Sequence, residues 1–248
     1  MRGLFRLTWL EIKIFVREPL GLFGTVGVPV LVFLGLGRLM RGAVTRPASP
    51  EAVFVQSGLP VFAAILMAVS AVVSLVTVIA VYREGGILKR LRATPLRPAT
   101  ILVAHVLVKL LFTALTLALL LAVGRRYYAP DTAGQLIAFA AALLFSTLGV
   151  LSIGFLIASL VPTARFAQPL AGVIFYPMIA LSGLFFPLTL LPPWLRLIAR
   201  ALPLTHAVSL LQGVWRGETL SAHRWDIAAV AAVFVVCTVV SGRVFKWE

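Results

Sequence analysis

Two apolar runs of this chain carry polar side chains at helical spacing, and these residues could line a path for a solute. They are Ser70, Ser74 and Thr77 in one run and His105, Lys109 and Thr113 in another. Residues three or four apart lie on one face of a helix, so each set forms a polar stripe. A polar stripe on a membrane helix faces protein or a water-filled cavity. The stripes therefore predict either a translocation path or hydrogen bonding between helices, with Lys109 reaching toward the membrane surface.

A strongly basic, amphipathic segment, residues 83–98, lies between two long apolar runs. Its candidate functional residues are Glu84, Gly85, Leu88, Lys89, Arg90, Leu91, Arg92, Thr94 and Pro95. Leu88 and Leu91 are three apart and share one helix face. Pro95 is expected to end the helix, because the residue before a proline avoids helical geometry. A short basic helix between two membrane spans indicates a contact surface for another protein.

The sequence contains none of the motifs that mark a catalytic or metal site. It has no Gly-x-x-x-x-Gly-Lys-Ser/Thr phosphate loop, no Gly-x-Ser-x-Gly elbow, and no His, Cys and Asp cluster at metal-ligand spacing. The single cysteine, Cys237, lies in an apolar run and is expected to be a small buried residue. We therefore expect no catalytic residue, no metal ligand and no cofactor bound by this chain itself.

The composition indicates a membrane protein. Of the 248 residues, 61% are hydrophobic and 12% are charged, whereas a soluble domain has about 25% charged residues. The mean hydropathy is +1.05. The net charge of +14 is explained by basic loops that meet anionic lipid headgroups, so membrane lipid is an expected partner and nucleic acid is not.

The intervals between charges predict an all-α integral membrane protein with six transmembrane helices. Because about 20 apolar residues cross the bilayer core, the helices are expected at about 20–38, 59–82, 99–123, 135–160, 166–186 and 226–244. An even number of spans puts both termini on one side. The densest basic clusters, 2–17 and 83–97, make that side the cytoplasm. Residues 20–248 would then form a single transmembrane domain in the inner or plasma membrane, with cytoplasmic N- and C-termini.

Two further segments are predicted not to span the membrane. Residues 1–19 have basic residues along one edge of a helix and apolar residues beside them, which favours an amphipathic helix in the interface over a flexible tail. Residues 187–215 are interrupted by prolines and are too apolar for a solvated loop, which favours short re-entrant helices at the outer face. The candidate residues of this outer gate are Gly183, Phe186, Pro187, Pro193, Trp194, Pro203, Thr205 and His206.

This order of features resembles the membrane (permease) subunit of a type-2 ABC exporter, of the drug, lipid or lipo-oligosaccharide export type. Residues 82–96 are similar to the coupling segment of that family. Residues 182–187, 191–195 and 202–206 resemble its outer re-entrant signature. The resemblance covers essentially the whole chain. It implies a transporter with a second permease copy, identical or different, and separate ABC ATPase subunits that bind ATP and Mg.

The resemblance also implies roles for the basic segment. Leu88 and Leu91 would sit in a cleft of the ATPase, the basic residues beside them would contact its acidic surface or lipid phosphates, and Glu84 would tie the segment to the interfacial helix or a facing arginine. ATP hydrolysis on the partner would then move a hydrophobic or amphipathic substrate outward, such as a drug, a lipid or a lipid-linked glycan. The alternatives are an ATP-independent carrier or channel and a membrane-embedded enzyme, the latter disfavoured by the missing catalytic groups.

Overall fold

The structure is a computed structural model that describes residues 2–39, 59–86, 98–124, 133–161, 163–185 and 188–244. Every regular element in these ranges is a helix, which confirms the predicted all-α class. In chain order the elements are α1 (Arg2–Arg17), α2 (Pro19–Leu22), a π-helical turn (Phe23–Gly27), α3 (Val28–Leu39), α4 (Leu59–Glu84), α5 (Pro98–Gly124), α6 (Ala133–Leu160), α7 (Ala164–Leu181), a 3-10 turn (Leu188–Leu190), α8 (Pro193–Ala201), α9 (Pro203–Trp215), a second 3-10 turn (Leu220–His223) and α10 (Arg224–Val244).

Within the described ranges, five stretches of helix are long and apolar enough to cross a membrane. They are Pro19–Leu36, Val61–Glu84, Val103–Val123, Gly134–Leu160 and Leu220–Val244. The number rises to six if α8 and α9, which meet at 83°, are counted as one broken span. The predicted fifth span, 166–186, corresponds to α7, a shorter helix of 18 residues with a length of about 27 Å at ~1.5 Å per residue. The chain is therefore a multi-pass membrane protein, and the count of six spans stays a prediction.

Contacts between helix termini define two ends of the bundle. Arg83, near the end of α4, donates a hydrogen bond of 2.6 Å to the carbonyl of Val161, just after α6. Tyr82, also in α4, contacts α1. Gln135, at the start of α6, donates to the carbonyl of Trp215 at the end of α9. We call the end with the Arg83 and Tyr82 contacts the α1 end, and the end with the Gln135 contact the α9 end. Which of the two faces the cytoplasm stays a prediction.

The core is centred on α4, the most buried of the candidate spans. It packs against α6, where the absence of a side chain at Gly154 makes room for Val72; a Cβ atom on Gly154 would lie 2.7 Å from Val72 Cγ1. On another side of α6, Gly149 makes the same room for Val230 of α10. Small residues let membrane helices approach closely, and the resulting van der Waals contacts hold them together where hydrophobic burial cannot.

The first span is irregular because of a proline. Pro29 has no N–H to donate to the carbonyl of Thr25, and its ring crowds that carbonyl. Thr25 lies in the π-helical turn Phe23–Gly27 between α2 and α3. Such a turn is expected where the regular series of helical hydrogen bonds is interrupted. Ahead of it, the helix predicted for residues 1–19 is present as α1, Arg2–Arg17.

Candidate functional site

A buried polar contact joins α1 to α4 and α5 at the α1 end. Glu11 of α1 is only 7% exposed. Its Oε1 accepts a hydrogen bond of 3.0 Å from the hydroxyl of Tyr82, and its Oε2 lies 3.5 Å from Nδ1 of His105. The rings of Tyr82 and His105 also meet edge to face, with centroids 5.4 Å apart. One carboxyl group thus contacts two different membrane helices.

One helical turn along α5, Lys109 continues this site. Its Nζ donates a hydrogen bond of 2.6 Å to Oγ of Ser74 in α4 and lies 4.2 Å from the centre of the Phe15 ring, close enough for a cation–π interaction. Phe15 also packs against Phe112 with ring centroids 4.5 Å apart. We call Glu11, Phe15, Ser74, Tyr82, His105 and Lys109 the α1 junction.

Burial decides the electrostatics of Glu11. Removal of the carboxylate from water raises the pKa of Glu11 above its ordinary value, while the Tyr82 hydrogen bond and the charge of Lys109 oppose that rise. Glu11 joins α1 to α4 through Tyr82 and lies against His105 of α5, while Lys109 joins α5 to α4 through Ser74. The α1 junction can therefore hold three helices together.

The two predicted polar stripes meet in part. His105, Lys109 and Ser74 come together in the α1 junction. The hydroxyl of Thr77 instead donates to the Val73 carbonyl of its own helix, at 2.8 Å. Thr113 is buried, and its hydroxyl has no hydrogen-bond partner among the described residues.

Ser70 completes the predicted stripes, and it is half-buried on α4. The sequence analysis missed Glu11, Phe15 and Tyr82. An acidic residue in a basic amphipathic helix, opposite a His and a Lys four residues apart, is the signal that could have identified the first of these.

The predicted outer gate forms the bend between α8 and α9. Pro193 begins α8 and Pro203 begins α9. A proline is tolerated at the start of a helix, because the backbone N–H that it lacks would have no partner within the helix. Thr205 closes the bend, because its hydroxyl donates a hydrogen bond of 2.6 Å to the carbonyl of Ala199. Trp194 is exposed, and Gly183 adopts φ +82° in the turn after α7, a conformation that favours glycine.

Among the described residues, one side chain of α8 makes three hydrogen bonds to the segment 188–191. The guanidinium group of Arg196 donates to the carbonyls of Leu188, Thr189 and Leu191, at 3.0, 2.7 and 3.0 Å. Phe186 and Pro187, two predicted gate residues, lie outside the described residues. The fork of an arginine satisfies several carbonyls at once, so this segment is fixed to α8.

His206 belongs to a second polar cluster that the sequence did not reveal. Its Nδ1 lies 2.7 Å from Oδ1 of Asp226 in the first turn of α10. The hydroxyl of Ser209 donates 2.8 Å to Oδ2 of the same carboxylate. Nδ1 of His223 lies 3.0 Å from that Oδ2, and its Nε2 lies 3.0 Å from Oε2 of Glu218. We call these five residues the His–Asp clasp; it joins α9 to the start of α10.

The predicted coupling residues are described only in part. Glu84 is exposed at the end of α4, and Gly85 lies in the turn that follows. The others, Leu88, Lys89, Arg90, Leu91, Arg92, Thr94 and Pro95, lie outside the described residues. Their roles stay predictions.

No group of three or more His, Cys, Asp or Glu side chains in the part of the chain that the structure describes is arranged to hold a metal ion. This includes the His–Asp clasp, whose four ring nitrogens each face an oxygen atom of the protein. The clasp is therefore a hydrogen-bonded cluster.

Comparison with known proteins places these features in a family. Residues 2–215 match the family described as "ABC-2 type transporter". The chain is also similar to "Daunorubicin resistance ABC transporter permease protein DrrB1" of Streptomyces coeruleorubidus, with 26% identity over 232 residues. That alignment covers 91% of this chain and 78% of the relative.

Proposed function

Because the chain belongs to the ABC-2 type transporter family, we propose that this permease subunit works in an ATP-driven exporter. Two permease copies would pair with separate ABC ATPase subunits, and ATP hydrolysis there would drive transport. Six spans in the inner or plasma membrane, with both termini cytoplasmic, would place α1 and the coupling segment 83–98 on the ATPase side. The substrate would be hydrophobic or amphipathic; the name of the relative, a daunorubicin resistance permease, favours a drug over a lipid or a lipid-linked glycan.

The observation that carries the proposal is the α1 junction. Glu11 contacts Tyr82, one position before residue 83, where the predicted coupling segment begins. A force applied by an ATPase to that segment would act on the end of α4. Because Glu11 and Lys109 link α4 to α1 and α5, the three helices would respond together.

The coupling role is tested by a charged substitution in the predicted contact. Leu88→Asp with Leu91→Asp should abolish co-purification of the ATPase, because two carboxylates would have to enter an apolar cleft. The matched control is Leu190→Asp with Leu220→Asp, two exposed leucines at the α9 end. This control should insert into the membrane and retain the ATPase. Loss of the ATPase in both variants, or in neither, would reject the coupling assignment, and transport by the purified chain without ATP would favour the carrier alternative.

The orientation is tested by labelling intact cells with an impermeant thiol reagent. The one native cysteine, Cys237, is buried and would be replaced by alanine. Single cysteines would then be placed at Lys13 in α1 and at Ser221 between α9 and α10, both exposed positions. Labelling of Ser221→Cys alone agrees with the proposed orientation, whereas labelling of Lys13→Cys alone reverses it.

For Thr77 and Lys109 the contacts favour bonding to protein groups over a translocation path, since Thr77 bonds within its own helix and Lys109 bonds to Ser74 of α4. The polar atoms of Thr77 and Lys109 bond to protein groups, so a passing substrate would have to displace these bonds. Thr77→Val should therefore leave the substrate KM unchanged. Lys109→Met should lower transport together with the thermal midpoint. A changed KM at an unchanged midpoint, for either variant, would place that side chain in the path instead.

A further inference from the structure

The two histidines of the His–Asp clasp face only hydrogen-bond acceptors. His206 directs Nδ1 to Asp226 Oδ1, at 2.7 Å, and Nε2 to the carbonyl of Arg200, at 3.0 Å. His223 directs Nδ1 to Asp226 Oδ2 and Nε2 to Glu218 Oε2, both at 3.0 Å. A carbonyl oxygen and an ionised carboxylate accept hydrogen bonds and donate none.

The number of donors fixes the number of protons that the clasp holds. A neutral imidazole has one N–H and one lone pair, so two neutral rings make only two of the four contacts into hydrogen bonds. In the other two, a lone pair would face an oxygen. All four contacts become hydrogen bonds when each ring carries its second proton. We infer that the His–Asp clasp is a site that binds two protons, closing the bend between α8 and α9 onto α10 when they are bound and loosening it when they are lost.

The charges around the clasp are consistent with this protonated form. Two imidazolium rings balance the carboxylates of Asp226 and Glu218, whereas two neutral rings leave both negative charges uncompensated within the cluster. Arg216 lies nearby, with its Nε 3.4 Å from Oε1 of Glu218, and both side chains are about half exposed to solvent. Solvent screening limits what such a pair contributes, so Arg216 does not replace the two protons.

Among the residues that the structure describes, few other ionisable groups of the surrounding helices reach the clasp. α6, which packs against both α9 and α10, has no ionisable residue between Ala133 and Leu160. The ionisable residues of α4 are at its α1 end. On α8, the guanidinium of Arg196 bonds to carbonyls, while Arg200 supplies a carbonyl. Arg224 on α10 packs over the Trp225 ring, 5.8 Å from its centre. On α7, Arg165 begins the helix at the α1 end and Tyr176 is exposed.

Protonation of the clasp would act on the geometry of the bend. His206 reaches back to the last turn of α8 and forward to α10, so it ties both sides of the 83° bend. His223 lies against α9 at Gly213, where a Cβ atom would overlap the ring. Loss of the two protons would release one contact at each ring and loosen the tie between α9 and α10, which the bond from Ser209 to Asp226 would still hold.

The test is a pH titration of the whole chain in lipid nanodiscs with 15N-labelled histidine. The chain has three histidines, so single His→Gln variants assign every signal. Spectra recorded between pH 5 and pH 8.5 should show both rings of the clasp as imidazolium where the bend is closed and a neutral ring only where it is loosened. The thermal midpoint should fall over the same interval by on the order of 10 °C, the shift expected when two charge-assisted hydrogen bonds are lost. The fall follows because a folded chain that binds more protons than the unfolded chain loses stability as pH rises.

The control separates the clasp from other titrating groups. His206→Gln with His223→Gln should lose most of this fall, because an amide does not change its protons over this range, whereas His105→Gln should keep it. An equal fall in the wild type and the double variant would overturn the inference. If the double variant does not fold, the wild-type titration decides alone: a ring of His206 or His223 that stays neutral down to pH 5 overturns it as well. The measurement uses no ATPase and no substrate, so its failure would leave the proposed transport function standing.

Discussion

The contact between Glu11 and Tyr82 can be measured by a double-mutant cycle. Glu11→Leu removes the carboxyl group while keeping an apolar side chain of similar volume. Tyr82→Phe removes only the hydroxyl that donates 3.0 Å to Glu11. If the hydroxyl stabilises the fold chiefly through Glu11, its removal is costly in the wild type and nearly neutral once Glu11 is gone.

The magnitude follows from burial and charge. Glu11 is buried and the hydrogen bond to it is charge-assisted, so the coupling energy is expected to be about 1.5–3 kcal/mol. In a chain of this size, 1 kcal/mol corresponds to roughly 2–4 °C in the thermal midpoint. Tyr82→Phe should therefore lower the midpoint by about 3–12 °C in the wild type and by little in the Glu11→Leu background.

The assay is thermal unfolding of the purified chain in one detergent, followed by intrinsic fluorescence at pH 8. Thr8→Val is the matched control on α1, because its hydroxyl donates 2.9 Å to the Leu4 carbonyl of its own helix. Thr8→Val should show no coupling to Tyr82→Phe. An equal cost of Tyr82→Phe with and without Glu11 would refute the assignment of Glu11 as the anchor of α1.

The pH dependence of the same variants has a defined sign. Burial raises the pKa of Glu11, whereas in the unfolded chain a glutamate titrates near about 4.3. At a pH between the pKa of Glu11 in the unfolded chain and its raised pKa in the folded chain, the folded chain holds a proton on Glu11 and the unfolded chain does not. The contribution of Glu11 to stability therefore decreases as pH rises through this range. The Glu11→Leu variant should lose this part of the pH dependence; an unchanged profile would contradict the burial of the carboxyl group.

Two further substitutions test the packing of the bundle. Gly154→Ala should lower the thermal midpoint, since a Cβ atom would lie 2.7 Å from Val72 Cγ1 and overpacking costs about 1–3 kcal/mol; Val72→Ala in the same chain should restore it, and no rescue would contradict the contact. Gly213→Ala should destabilise the chain through overlap with the His223 ring, whereas Gly134→Ala, where nothing lies within 4 Å, should be neutral. Equal midpoints for these two alanine variants would place His223 elsewhere.

Much of the fold follows from the sequence because the bilayer restricts the choices. A run of apolar residues must form a helix, since lipid offers no partner for backbone N–H and C=O groups. The stretches around 59–82, 99–123 and 135–160 were predicted on this ground, and helices of 26, 27 and 28 residues occupy them. The bend was also predictable, because Pro203 supplies no N–H to continue α8.

The partners of the polar side chains could not be predicted in the same way. Hydrophobic periodicity gives the faces of α1, yet the rotation and position of α1 relative to α5 decide that Glu11, rather than a basic residue, faces His105. Asp226 and His206 are 20 positions apart, and only the bend and the return of α10 bring them within 2.7 Å. Helix formation is a local property of the sequence, whereas these contacts depend on how separate helices pack.

The α1 junction bears on how a force at one end of the bundle could move whole helices. At the α1 end, Glu11 bonds to α4 and contacts α5, and Lys109 bonds α5 to α4. Hydrogen bonds are directional, so these three helices are fixed to one another there. Farther along, α4 meets α6 through Gly154 and Val72, a contact without directional bonds that permits small sliding of packed helices. A push on the α1 end would therefore act on α1, α4 and α5 together, and these helices could slide against α6 only by displacing the bond of 2.6 Å from Arg83 of α4 to the carbonyl of Val161. Breaking the bond from Lys109 to Ser74 should uncouple α5 from that motion before it disturbs the packing of α4 against α6.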